Sequence, residues 1–228
     1  MSKNSFFAKF LRFIGIVLMG LTGGFTLLGG VGTTCAALFP ANFGSTTALA
    51  PFQWLYILFV LTGVALGIYG IRVTVMLVRG ADNAYRDALV ILILGVVIGF
   101  IHIFASRALR GASMPVDAVV YTNVLTLIVF LLFRIPPIWQ GVDFTKGNTK
   151  SNLPAGGAAA ILLGVMTLTI QYTMGSTHTW GGVNYADAFN TAMTITGIGL
   201  LLLGAGLFVG AAMLREPARR LEVRERSV

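Results

Sequence analysis

Residues 87–107 read DALVILILGVVIGFIHIFASR. Between Asp87 and Arg107 stand nineteen residues without a formal charge. As a helix rising 1.5 Å per residue, such a run is about 28 Å long, close to the roughly 30 Å hydrocarbon thickness of a bilayer. Strands of a soluble core are far shorter, and an amphipathic helix of a soluble protein would carry a polar stripe. The stretch therefore predicts a transmembrane helix, with its charges placed where water begins.

Working outward, runs of comparable character give six spans in all, at Phe13–Leu38, Trp54–Val78, Ala88–Ser106, Ala118–Phe133, Ala155–Met174 and Phe189–Leu214. The fourth is the shortest. The 228-residue chain is 56% hydrophobic and 11% charged with a mean hydropathy of +0.85, against roughly 25% charged residues in a typical soluble domain. A soluble fold is excluded. The expected architecture is all-α, a polytopic transmembrane bundle over residues 1–214 with a short basic tail over 215–228. LTGVALGIYG (61–70) and ITGIGLLLLG (195–204) resemble each other, but Gly-rich apolar helices match by chance, so a duplication is given no weight.

The net charge of +8 is distributed by side rather than as a nucleic-acid patch. With the N-terminus inside, Lys3, Lys9, Arg12, Arg72, Arg79, Arg86, Arg134, Lys146, Lys150 and the five tail arginines share one side, and only Arg107 and Arg110 fall on the other. That asymmetry predicts both termini in the cytoplasm. Trp54, Trp180 and Tyr185 then sit near the outer interface and Trp139 near the inner one, where amphipathic rings are favoured. Lys3, Lys9 and Arg12 ahead of an apolar stretch resemble a signal peptide, but the stretch is too long and Gly32-Thr33-Thr34 before Cys35 makes a poor lipoprotein cleavage site. The segment is read as a retained first helix, implying an inner or plasma membrane location. As the sole cysteine, Cys35 excludes an intramolecular disulfide.

Two connections are longer than the rest. Residues 134–154, with Pro136-Pro137 followed by Gly, Asn, Thr, Lys and Ser, read as a solvated connector, and the loop 175–187 as one able to lie back on the bundle. In the tail, Glu216/Arg220 and Glu222/Arg226 at i,i+4 suggest a short helix after Pro217, resting on anionic lipid headgroups or docking a soluble partner.

Glycine is the first candidate for a working residue. Gly20/Gly24, Gly63/Gly67, Gly95/Gly99 and Gly206/Gly210 each form G-x-x-x-G, a spacing that lets helix backbones approach within the chain or against a partner's helices. Ionisable groups are nearly absent from the span centres. Arg72 can snorkel and Asp117 lies near Arg107 and Arg110, so ion-coupled transport lacks its usual carboxylate.

The most informative cluster is uncharged. His102 lies about 22 Å along its helix from Asp87, while Tyr121 and Asn123 begin the fourth span and Gln171 and Tyr172 end the fifth. The short link between the third and fourth spans makes these antiparallel neighbours, so His102 is expected to meet Tyr121 or Asn123, and His102, Tyr121, Asn123 and Gln171 are expected to face inward together. Buried polar groups of this kind either bond one another or hold a quinone, lipid headgroup or pigment. His178 is the other histidine. Haem b would need both His102 and His178, though His178 falls on a loop. The sequence requires no cofactor. It contains no G-x-S-x-G, H-E-x-x-H, Walker loop or C-x-x-C, so soluble-type enzymatic chemistry is not supported. The reading is a non-catalytic subunit of a larger membrane complex, in contact with lipid and other membrane subunits and not with nucleic acid. The alternatives are a transporter or channel for a small or lipidic solute, and a quinone- or haem-binding redox anchor.

Overall fold

In the computed structural model, which describes residues 5–42, 44–142, 144, 149–184 and 186–226, helix formation begins at Ser5, whose side chain accepts the Ala8 N–H at 3.2 Å. The elements are α1 (Phe6–Gly32), α2 (Thr34–Leu38), α3 (Gln53–Arg79), α4 (Ala84–Arg110), α5 (Val116–Leu132), α6 (Pro136–Val142), α7 (Thr149–Met174) and α8 (Asn190–Arg226). Short 3-10 turns join α2 to α3 and α7 to α8. A ladder of two residues per strand, Thr179–Trp180 against Val183–Asn184, closes the last loop. The chain is 89% helical. Left-handed glycines end α3 (Gly80, φ 69°) and α4 (Gly111, φ 72°), conformations in which any Cβ would be strained. Lys3, Lys146 and Tyr185 lie outside the described residues, as do the side chains of Lys150, Trp180 and 215–226 that carry the tail pairs.

Five helices are long and apolar enough to cross a membrane, and six if α5 and α6 count as one span. That pair is bent by 99°. The cause is local: Pro136 and Pro137 lack the N–H groups that would bond Leu132 and Phe133. Arg134 N–H turns to Leu131 O (3.0 Å) and Ile135 N–H to Leu132 O (3.1 Å), and the Phe130 carbonyl accepts from Tyr85 OH at 2.6 Å. The expected solvated connector is corrected in part: Pro136 opens a helix and Val142 and Phe144 are buried, whereas Pro136, Pro137 and Gln140 are exposed and residues 145–148 lie outside the described residues. The tail is corrected too: α8 runs through Pro217 to Arg226 without a break, so the basic segment continues the last span.

Glycines set the helix spacing. A Cβ on Gly23 would meet Gly70 C at 2.9 Å, one on Gly30 would meet Gly63 C at 2.9 Å, and one on Gly67 would meet Leu27 Cα at 2.5 Å, so α1 and α3 touch backbone to backbone. Gly20 and Gly24 face Ala159 and Leu163 of α7, running parallel to α1, and Gly95 and Gly99 face Asn123 and Val120 of antiparallel α5. Helix α8 packs chiefly on α7, where a Cβ on Gly157 would meet the Gly204 carbonyl and one on Gly164 the Gly197 carbonyl, each at 2.9 Å. These pairings put Phe6 and Leu214 at the same end of the bundle.

Two apolar clusters occupy opposite ends. Near Arg134, the rings of Tyr85, Phe130, Phe133 and Phe144 stack with Ile16, Met19, Val73, Leu77 and Leu92. Near Gly111, Ala37, Leu49, Tyr56 and Phe59 form the second. Small and polar residues lie between them, and that interval contains the site.

Candidate functional site

Four helices present small or polar residues to a common axis, each at helical spacing. They are Thr22, Thr26 and Gly29 of α1 with Thr33 just past its end, Tyr56, Phe59, Gly63 and Leu66 of α3, Gly95, Gly99, His102 and Ser106 of α4, and Val116, Val119, Val120 and Asn123 of α5. The glycines and threonines among them leave the axis incompletely filled, with three adjacent recesses along it, the third much smaller than the other two. Adjacent recesses share walls. His102, Gly29, Thr33 and Val116 border the first and second, and Asn123, Gly95 and Thr26 border the second and third.

His102 sits at the centre, 9% exposed. Its ring stacks on Phe59 with centroids 4.2 Å apart and meets Tyr56 edge-on at 5.5 Å. It makes no hydrogen bond to a described residue. The expected contact with Tyr121 or Asn123 is replaced by these α3 rings. Asn123 is 3% exposed, lies against Gly95, and its Oδ1 has no hydrogen-bond partner among the described residues. Gly95 and His102 are seven residues apart on α4, so Asn123 lies about 10 Å deeper than His102 along the axis. The two residues border one recess without touching.

The expected four-residue site is corrected in two members. Tyr121 is 55% exposed, because α5 turns Val120 and Asn123 to α4 and so carries Tyr121 to the outside. Gln171 belongs to α7, which packs on α1, α3 and α8 and borders none of the three recesses. Among the described residues its buried Oε1 has no hydrogen-bond partner, and Asn184 Nδ2 donates to its backbone carbonyl at 3.4 Å. His178 does reach the first recess, from the 3-10 turn after α7, with its Nδ1 3.0 Å from the Met174 carbonyl.

Sequence reasoning missed Tyr56 and Ser106, whose hydroxyls meet at 2.8 Å beside His102, and Thr22 and Thr126, whose hydroxyls meet at 2.7 Å below Asn123. The signal was present in the helical spacing of Thr22, Thr26 and Gly29 and of Gly99, His102 and Ser106, which places each set on one helix face. Arg12, assigned to the membrane surface, is instead 2% exposed. At the mouth, Arg107 binds Asp117 Oδ1 at 3.0 Å and Ser113 Oγ at 2.9 Å, and Ser113 donates to Asp117 Oδ2 at 2.7 Å. This clasp ties the end of α4 to the start of α5. Among the described residues no group of three or more His, Cys, Asp or Glu is placed to hold a metal ion. Chemically the axis offers hydrogen bonds in a largely uncharged surrounding. No family model, curated protein or solved structure matches the chain.

Proposed function

We propose that this is a non-catalytic integral membrane subunit that packs against the helices of other membrane proteins. One observation carries the reading. Three G-x-x-x-G pairs, Gly20/Gly24, Gly63/Gly67 and Gly95/Gly99, are filled by neighbours in this chain, whereas a Cβ on Gly206 or Gly210 would meet nothing within 4 Å among the described residues. Gly199 is open as well, and Ile195, Gly199, Leu202, Gly206, Gly210 and Met213 recur every three or four residues along one face of α8. Ile195, Leu202 and Met213 are each at least 66% exposed. Lipid needs no such glycines, which cost helix stability relative to alanine, and a partner helix uses them as a groove. The basic asymmetry supports cytoplasmic termini and insertion in an inner or plasma membrane.

The test is substitution of Gly199 and Gly206 by leucine, followed by native gels and crosslinking in membranes. The protein should stay inserted and leave its complex. A chain that is monomeric in its native membrane overturns the reading. A transporter or channel for a small solute is the second reading, favoured by the recesses along the bundle axis.

A further inference from the structure

The geometry points to a second property, independent of the α8 surface: we propose that the axial recesses form a water-filled vestibule, open at the His178 end, that admits small uncharged hydrogen-bonding solutes as far as Asn123. The mouth is framed by connecting segments at the bundle end, with Leu49, Met114 and His178 around it. The recesses are adjacent, with His102 bordering the first and second and Asn123 the second and third, and the proposal joins them into one passage. At the far end Met19, Ile91 and Leu92 close the third recess against the aromatic stack of Tyr85, Phe130, Phe133 and Phe144. The passage is one-sided.

One buried polar atom calls for an occupant. Asn123 Oδ1 has no hydrogen-bond partner among the described residues. Polar groups left in that state in a membrane are costly, and buried polar atoms are normally satisfied by water or ligand. The first and second recesses have room for a few water molecules each. An acceptor at Asn123 Oδ1 calls for an O–H or N–H on whatever binds there. Among the described residues no carboxylate borders these three recesses, and Arg110, the one formal charge on their walls, stands at the mouth. An ion moving inward through a narrow passage in a low-dielectric surrounding would meet no countercharge, so the solute is uncharged.

Cys35 borders the first recess and is the chain's sole thiol, which makes the proposal testable by cysteine labelling of the full-length protein in membranes. Methanethiosulfonates react with the thiolate, which forms where water reaches the sulfur. The uncharged probe is 2-hydroxyethyl methanethiosulfonate and the cationic one its trimethylammonium-ethyl counterpart, both added from outside. Cys35 should react with both. In a Cys35→Ser background, Thr33→Cys and Thr26→Cys should react with the hydroxyethyl reagent, the cationic reagent should react with Thr26→Cys at least about tenfold more slowly, and Phe130→Cys should stay inert. Folding of each variant is checked by monodisperse elution in mild detergent, and Thr33→Cys serves if Thr26→Cys fails it. Folded variants inert to both reagents would mean a dry interior and overturn the proposal. Labelling by lipid-soluble N-phenylmaleimide alone would overturn it in favour of a lipid-filled cleft, and equal reaction with both charged and uncharged reagents would overturn the selection for uncharged solutes.

Discussion

His102 shows how a single residue can be legible in type and illegible in contact. A histidine in a span demands a partner, and the sequence offered Tyr121 and Asn123 on the next helix. In the structure it lies flat on Phe59 instead. His102→Leu is expected to lower stability by about 0.5–1.5 kcal/mol, the scale of an aromatic pair, and His102→Phe to recover most of it. Thermal unfolding in mild detergent measures both. Equal losses for the two variants would show that a hydrogen bond, not the stack, holds the ring. Glycines separate at the same scale. Gly67→Ala drives a Cβ into the Leu27 backbone, whereas Gly206→Ala enters open space. The first should cost about 1–3 kcal/mol by overpacking and the second should leave the isolated chain's stability unchanged or slightly raised.

Helix ends show the next level of determination. Gly80, Gly111 and the Pro136-Pro137 pair mark α3, α4 and the α5–α6 bend in the sequence itself, because each acts through its own backbone. What becomes of the groups a bend releases depends on neighbours distant in the chain. The Phe130 carbonyl, freed where Arg134 N–H turns away, is taken by Tyr85, 45 residues earlier. Tyr85→Phe should therefore destabilise the protein by about 1–3 kcal/mol, the cost of an unsatisfied buried carbonyl. A loss no greater than that of an exposed tyrosine, such as Tyr172→Phe, would sink this account of the bend. The helix-packing glycines of α8 were also read in part. G-x-x-x-G drew attention to Gly206/Gly210, while the contact with α7 is made by Gly197 and Gly204, seven residues apart on the opposite face.

Across the whole molecule, the alternation of helix direction places Phe6 and Leu214 at one end. Combined with the basic asymmetry, this predicts that a reporter fused after Val228 reads as cytoplasmic and one inserted at Gly181-Gly182 as external. The opposite pattern would reverse the vestibule and the α8 surface together. The chain also separates into a packed core of α1, α3, α4 and α5 and a peripheral α7–α8 hairpin joined to it by α7. Loss of the α8 partner should leave vestibule labelling intact, and loss of labelling should leave the complex intact, so the two readings can fail separately.

The sequence alone determined the all-α class, the approximate positions of the apolar helices, the basic asymmetry and the stops at Gly80 and Gly111. All of these follow from hydrophobic length, from charge placement and from the backbone chemistry of glycine and proline, which act within a turn or two of chain. It could not determine which face of a helix meets which neighbour. In hydrocarbon nearly every face is apolar, so the polar–apolar stripe that orients helices in a soluble protein is missing. Only the tertiary structure decided that Tyr121 faces outward while Asn123 faces the axis, that Arg12 is buried, and that three glycine pairs are filled while the fourth is open. Those outcomes rest on helix rotations set by close packing between residues far apart in the chain.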